Sequence, residues 1–125
     1  MDSLTPNIFT NDMKASIALY KILGFDITMQ VPPEGDELVW ANISNGGVNV
    51  MLQTFDSLGD HLPDISRGNG GSLLLYIKLK GVRGFFEQIK DKVTVVQGLE
   101  TTFYGATEFS VKDNNGYVLT FAEHE

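Results

Sequence analysis

The chain has 125 residues and a formal net charge of −7. That length suits one domain, large enough to bury about two thirds of its unfolded surface without help from a metal or disulfide. It contains no cysteine, which excludes thiolate chemistry and disulfides, and its few scattered Lys and Arg argue against nucleic acid as a partner. No apolar run approaches a membrane span or follows a basic N-terminal segment, so the expectation is a soluble, cytoplasmic protein with no membrane partner.

The elements follow in chain order. Leu4 to Thr10 alternates as a strand, with Pro6 suited to an edge or a strand's first residues. Asn11-Asp12 offers an N-cap. Met13, Ile17, Tyr20 and Lys21 have helical spacing, so a helix is predicted near Asp12–Ile22, ended by Gly24. Phe25 to Gln30 is a strand, and Pro32 to Gly35 a loop. Glu37 to Ser44 and Val48 to Phe55 alternate on either side of a hairpin turn at Asn45-Gly46-Gly47. Asp56 to Gly71 is rich in glycine and poor in apolar residues, and it reads as a long connection without regular structure, of the kind that forms lids or linkers.

The order then repeats. Ser72 to Leu79 is a strand, and Val82 to Lys92 has helical spacing, weakened by Gly84 by about 1 kcal/mol. Val93 to Gly98 is a strand, and Thr101 to Lys112 another, bent at Gly105. Asp113 to Gly116 turns the chain into Tyr117, Leu119 and Phe121, which alternate with Val118, Thr120 and Ala122. Thr5 corresponds to Ser72, Met13 to Val82, and Asn45-Gly46-Gly47 to Asn114-Asn115-Gly116. A strand, helix, strand, strand, strand unit is therefore present in duplicate.

Several of these residues carry a resemblance. They are Asp12 to Tyr20 (DMKASIALY), Leu23-Gly24-Phe25, Tyr104-Gly105, Glu108-Phe109 and Asp113-Asn114-Asn115-Gly116-Tyr117. Together they resemble the vicinal oxygen chelate superfamily, the group of glyoxalase I, the bleomycin-resistance proteins, fosfomycin-resistance enzymes and extradiol dioxygenases. The family's early pattern is a Ser, an aromatic pair and then L-G-F, and here Leu19 replaces the first aromatic. The later pattern of Y-G, E-F and D-x-x-G-Y is met in full. The resemblance implies an α+β fold. Two tandem βαβββ modules, residues 1–55 and 71–125 joined by loop 56–70, form one domain over 1–125 as a mixed sheet curled around a cleft. It also implies a homodimer.

Strand alternation divides each sheet into a helix-packed face and an open face. The open set comprises Thr5, Asn7 and Phe9; Leu38, Trp40 and Asn42; Asn49, Met51, Gln53 and Phe55; Ser72, Leu74, Tyr76 and Lys78; and Glu108, Ser110, Val118, Thr120 and Ala122. Aromatic walls with a few polar points suit a small organic ligand, with Asn7, Phe9, Trp40, Asn49, Gln53, Tyr76, Tyr104 and Glu108 as its contacts. Carried over by the resemblance, the family's metal positions fall at Thr5, Gln53 (less surely Met51), Ser72 and Thr120. Three neutral hydroxyls are poor ligands for Zn, Ni or Fe, so neither metal nor other cofactor is expected. Glu108 is the weak candidate for a general base, with a salt bridge to Lys78 the favoured alternative. His61 and Arg67 are candidate lid residues, the alternative being a solvated loop, and His124 reads as a tail.

Two functions from different classes follow. The first is a metal-free small-molecule binding protein of the bleomycin-resistance type, holding a flat or partly aromatic ligand. The second is a glyoxalase-like lyase or isomerase with a degenerate or relocated metal site. A purely structural or interaction role is the third.

Overall fold

The computed structural model describes residues 1 to 124. The chain divides into two compact units, the first ending at Gly68 and the second beginning at Asn69. Each contains one four-stranded mixed sheet and one main helix, the α+β, two-module architecture of the glyoxalase-like fold.

The first unit runs β1 (Asn7–Thr10), α1 (Met13–Ile22), β2 (Asp26–Val31), β3 (Trp40–Asn45), β4 (Val48–Thr54) and a short helix α2 (Phe55–Leu58). The strand order is β1-β4-β3-β2, with β1 parallel to β4 and the other pairs antiparallel. The α1 helix begins where the sequence predicts, because the Asp12 side chain accepts from the Ala15 amide at 3.0 Å and satisfies one orphan donor. It turns Met13, Ser16 and Tyr20 inward. These pack over Ile8, Ala41, Ile43, Val50 and Leu52, all 2% exposed or less. The Ser16 hydroxyl donates to the Thr10 hydroxyl at 2.9 Å, which marks the helix face of the sheet. Gly24 then ends the turn at φ +97°, where a Cβ would stand 2.8 Å from the Asn45 amide nitrogen.

The β2 strand departs from simple alternation. Its pairing with β3 slips at Thr28, so Ile27 sits opposite buried Ile43 while Met29 and Val31 sit opposite Asn42 and Trp40. A bulge of this kind re-aims every side chain beyond it. Met29 and Val31 are consequently exposed.

The second unit runs β5 (Leu74–Lys78), α3 (Val82–Ile89), β6 (Thr94–Thr101), β7 (Ala106–Lys112) and β8 (Val118–His124). Its strand order is β5-β8-β7-β6, again with the first pair parallel. The core is aromatic. Phe109 stacks on Phe121 with ring centroids 5.4 Å apart, and Phe85 and Phe86 of α3 meet them edge-on or tilted at 5.0 to 6.0 Å. In the β7–β8 hairpin, the Asp113 carboxylate accepts from the amides of Asn115 and Tyr117 at 2.8 and 2.9 Å, which fixes the turn from inside.

Several predicted boundaries need correction. The second helix stops at Ile89, capped by Lys90, instead of running to Lys92. Its N-terminus has no local capping side chain; Glu123 of β8 accepts from the amides of Gly81 and Val82 at 3.1 and 3.2 Å instead. The strand predicted as Thr101–Lys112 is split by a turn, in which Gly105 donates to the Thr102 carbonyl and Thr102 to that of Ala106. Its first residue belongs to β6, which is longer than expected. The connection after β4 is not without regular structure. It starts with α2, capped by the Thr54 hydroxyl on the Ser57 amide, and Leu58 is buried. Beyond it, the Arg67 guanidinium donates to the carbonyls of Gly59, His61, Leu62 and Ile65 at 2.6 to 3.0 Å, binding the loop to itself.

Candidate functional site

On the first sheet, strand register alone assembles the face opposite α1. Phe9 and Trp40 both pair with Gln53, Trp40 pairs with Val31, and Asn7 and Asn42 both pair with Met51. Paired residues share a face. Trp40 is therefore on the open face, half-buried, as the buried Ala41 and Ile43 that follow it require. Phe9 stacks on Phe55 with centroids 5.6 Å apart and the rings 29° from parallel. The Asn7 amide nitrogen donates to the Gln53 carbonyl oxygen at 2.9 Å. That leaves the Asn7 oxygen buried, with no hydrogen-bond partner among the described residues, a state that costs roughly 1–3 kcal/mol unless something outside the protein fills it. Asn49 lies further along, joined to Ser44 at 2.5 Å and through Asn42 to Thr28.

On the second sheet the open face carries a denser group. Glu108 Oε2 accepts from the Tyr104 hydroxyl at 2.8 Å and from the Tyr76 hydroxyl at 3.1 Å. The Tyr76 oxygen also lies 2.9 Å from His124 Nε2. Tyrosine has a single hydroxyl proton. With that proton on Glu108, the contact to His124 must be an Nε2–H donating to the phenol oxygen. A directed chain results, from His124 through Tyr76 to Glu108, with Tyr104 entering from the other side. The Tyr76 phenol is pushed up to about 12, by partial loss of hydration and then by the negative Glu108 carboxylate it donates to.

Position explains the group. Tyr76 on β5 and Glu108 on β7 flank β8, so the contact crosses two strand spacings, about 9.5 Å. It passes over the β8 face that carries Thr120 and Ala122, and the small side chains there leave the path open. Two sequence expectations change here. Among the described residues the ion pairs are Lys14–Glu37 and Lys90–Glu87, so Glu108 is held by two phenols and not by Lys78. His124 is no tail. It ends β8, pairs with Ala106 and faces the Tyr104 ring at 6.2 Å. Continuing the Thr120–Ala122 alternation by one more step would have found it.

The lid candidates differ from each other. Arg67 has its guanidinium engaged by the four loop carbonyls, and His61 is exposed on the same loop with its carbonyl accepting from Arg67. A recess of about 390 Å³ lies on the helix side of the first sheet, between Met13, Ile17 and Lys21 of α1 and Ile27, Gln30 and Leu38. It contains none of the expected ligand contacts.

The donors at the positions where the resemblance implies a metal do not fit a transition metal. The Gln53 amide oxygen is occupied by Asn7. Thr120 is 5% exposed, and its hydroxyl is hydrogen-bonded to that of Ser110 at 2.7 Å. Thr5 and Ser72 offer only neutral hydroxyls, where such ions take imidazole, thiolate or carboxylate. Among the described residues no three His, Asp or Glu side chains gather as a metal cluster.

Comparison with known proteins agrees with the fold. TioX from Micromonospora sp. ML1 superposes with a TM-score of 0.76 at 19% identity, with all of both chains covered. A protein of unknown function from Agrobacterium tumefaciens gives 0.79 at 22%, covering 100% of this chain and 95% of the other. A bleomycin resistance determinant encoded on the transposon Tn5 gives 0.68 at 21%, covering 100% and 99%. Comparison with curated sequences gives no match. The family model of the Glyoxalase/Bleomycin resistance protein/Dioxygenase superfamily matches residues 2–121, and the chain belongs to that superfamily.

Proposed function

We propose that this chain is a metal-free binding protein for a flat or partly aromatic small molecule, of the bleomycin-resistance type. The observation that carries the reading is on the first sheet: the half-buried indole of Trp40 stands in register with Gln53, next to the unpartnered buried oxygen of Asn7. A planar ligand with one N–H or O–H donor meets both needs, stacking on Trp40 and donating to Asn7. Phe9 supplies apolar wall and Asn49 a further polar contact. On the second sheet, Tyr76, Tyr104 and Glu108 are the corresponding contacts. His61 and Arg67 remain the lid residues of this reading, although the engaged guanidinium limits Arg67 to shaping the loop. The unsuited donors at Thr5, Gln53, Ser72 and Thr120 support binding over metal-assisted chemistry.

The reading includes a homodimer in the cytoplasm. Its support is the exposed pair Met29 and Val31 on edge strand β2. Sedimentation showing a monomer at micromolar concentration would overturn the dimer.

The binding test is a thermal-shift screen of aromatic drugs and metabolites, with and without divalent metals, followed by titration of the fluorescence of Trp40, the single tryptophan. A ligand should quench or shift that emission. Trp40→Ala should weaken binding by about 1–3 kcal/mol. A confirmed ligand bound equally well by Trp40→Ala would remove the stacking site.

A further inference from the structure

We propose that the recess on the helix side of the first sheet binds a short zwitterionic molecule with an aliphatic body, a free dipeptide in chemical class. This recess shares no residue with the open-face ligand contacts. The strand slip at Thr28 creates the space. Ile27 pairs with buried Ile43 and Gln30 with buried Ala41, so Ile27 and Gln30 face α1. Met29 and Val31 pair with Asn42 and Trp40 and leave that face. Unbroken alternation would carry Ile27, Met29 and Val31 all toward the helix. The bulge instead puts one polar residue where two apolar ones would stand. A recess of about 390 Å³ remains between α1, β2 and the loop before β3. Small-molecule sites run from about 300 to 1,000 Å³, so its size is sufficient.

The lining selects an aliphatic body with a polar backbone. Met13, Ile17, Ile27 and Leu38 supply the apolar wall, and no aromatic ring lines the space. Branched aliphatic side chains suit it better than a flat ring. Gln30 supplies the polar contact. Its amide nitrogen lies 3.3 to 3.4 Å from the carbonyls of Pro32, Pro33 and Gly35. All three partners are acceptors, so the NH₂ end of the amide must be the end that meets the loop. Gln30 Oε1 is left with no hydrogen-bond partner among the described residues, and it can accept from a peptide N–H.

Charge selects a zwitterion. Three charged side chains line the recess, Lys14, Lys21 and Asp36. Lys14 is engaged by Glu37 at 3.6 Å. Lys21 and Asp36 belong to no ion pair among the described residues. One cation and one anion therefore stand open at a single aliphatic recess. A simple anion would be drawn by Lys21 and repelled by Asp36, and a simple cation the reverse. A molecule with a carboxylate for Lys21 and an ammonium for Asp36 meets both. Lys21 stands in the last turn of α1 and Asp36 on the loop, and the flexible lysine stem supplies reach.

The test is titration of the isotopically labelled full chain at pH 7 with leucyl-leucine, followed by amide NMR. The backbone amides of Ile17, Lys21, Ile27 and Gln30 should shift and saturate together. N-acetyl-leucyl-leucine and leucyl-leucinamide, each lacking one terminal charge, should bind about two- to five-fold more weakly, the size of one exposed ion pair. In Lys21→Gln the free acid and the amide should bind alike, while discrimination against the acetylated peptide persists. Asp36→Asn should do the converse. Both side chains are exposed, so both variants should fold. The side-chain amide signals of Asn7 and Gln53 should stay in place, which separates this site from the aromatic-ligand reading. No saturable shift up to the solubility limit of the peptide, equal binding of all three peptides by the parent, or shifts at Asn7 and Gln53 in place of Ile17 and Ile27 would each overturn the proposal.

Discussion

Glu123→Ala tests how the second sheet is tied to its helix. In the parent, one carboxylate oxygen accepts from the amides of Gly81 and Val82 at 3.1 and 3.2 Å, and α3 has no other side-chain cap. Removing an N-cap acceptor costs about 0.5–2 kcal/mol. Loss of a negative charge at a helix N-terminus costs about 0.3–1 kcal/mol, and part of that is already counted in the cap. Glu123 is half-buried, so water replaces it only partly. We therefore expect a loss of about 1–2 kcal/mol in urea unfolding, or a fall of roughly 4–8 °C in melting temperature for a chain of this size. Glu123→Gln keeps an acceptor and loses the charge, so its cost should be about half. Glu123 directly precedes His124, and a loosened β8 end should also speed solvent exchange of the imidazole N–H held by Tyr76. A Glu123→Ala protein as stable as the parent would refute the capping role.

Much of the fold is legible in the sequence because its punctuation is local. Asp12, Gly24, Asn45-Gly46-Gly47 and Asp113-to-Gly116 act within a few residues of themselves, and each marks an element end where expected. Alternation correctly sends Trp40 to the face opposite Ala41 and Ile43, since period two needs no tertiary information. What escaped depends on distant partners. The α3 cap comes from a residue 41 positions away, and no local pattern announces it. The β2 slip at Thr28 is fixed by pairing with β3, so Met29 and Val31 could not be assigned to a face. Arg67 looks like a free loop cation until the fold brings four carbonyls around it. The Tyr76–Glu108 contact skips a strand, so only the β5-β8-β7 order reveals it.

Three further outcomes follow from the second sheet. Phe109→Ala should cost about 3–5 kcal/mol in urea unfolding, because the ring is fully buried against Phe85, Phe86 and Phe121; a cost under about 1 kcal/mol would mean the site collapses freely. In ultraviolet titration, one phenol should ionise near 12 and that step should vanish in Tyr76→Phe. Its folded value lies above the ordinary value of about 10, so its stabilising contribution is complete below pH 10 and fades as pH rises toward 12. Glu108→Gln should bring the step down, and a parent titration curve with no late step would contradict the chain of hydrogen bonds. Ala122→Leu tests the route itself. Tyr76 reaches Glu108 across β8, whose open face there carries only Thr120 and Ala122, and Ala122 is fully buried. A leucine at this position would fill the space the Tyr76 side chain crosses, at an overpacking cost of about 1–3 kcal/mol. Tyr76 should then lose both Glu108 and His124, and its titration should fall back toward the ordinary tyrosine value. The Tyr104–Glu108 bond should survive, because Tyr104 approaches from the turn before β7 and does not cross β8. Ala122→Ser, nearly the same size, should leave the late step in place. An Ala122→Leu protein that folds and still shows the late step would mean Tyr76 does not reach Glu108 over Ala122, and the cluster's geometry would have to be redrawn.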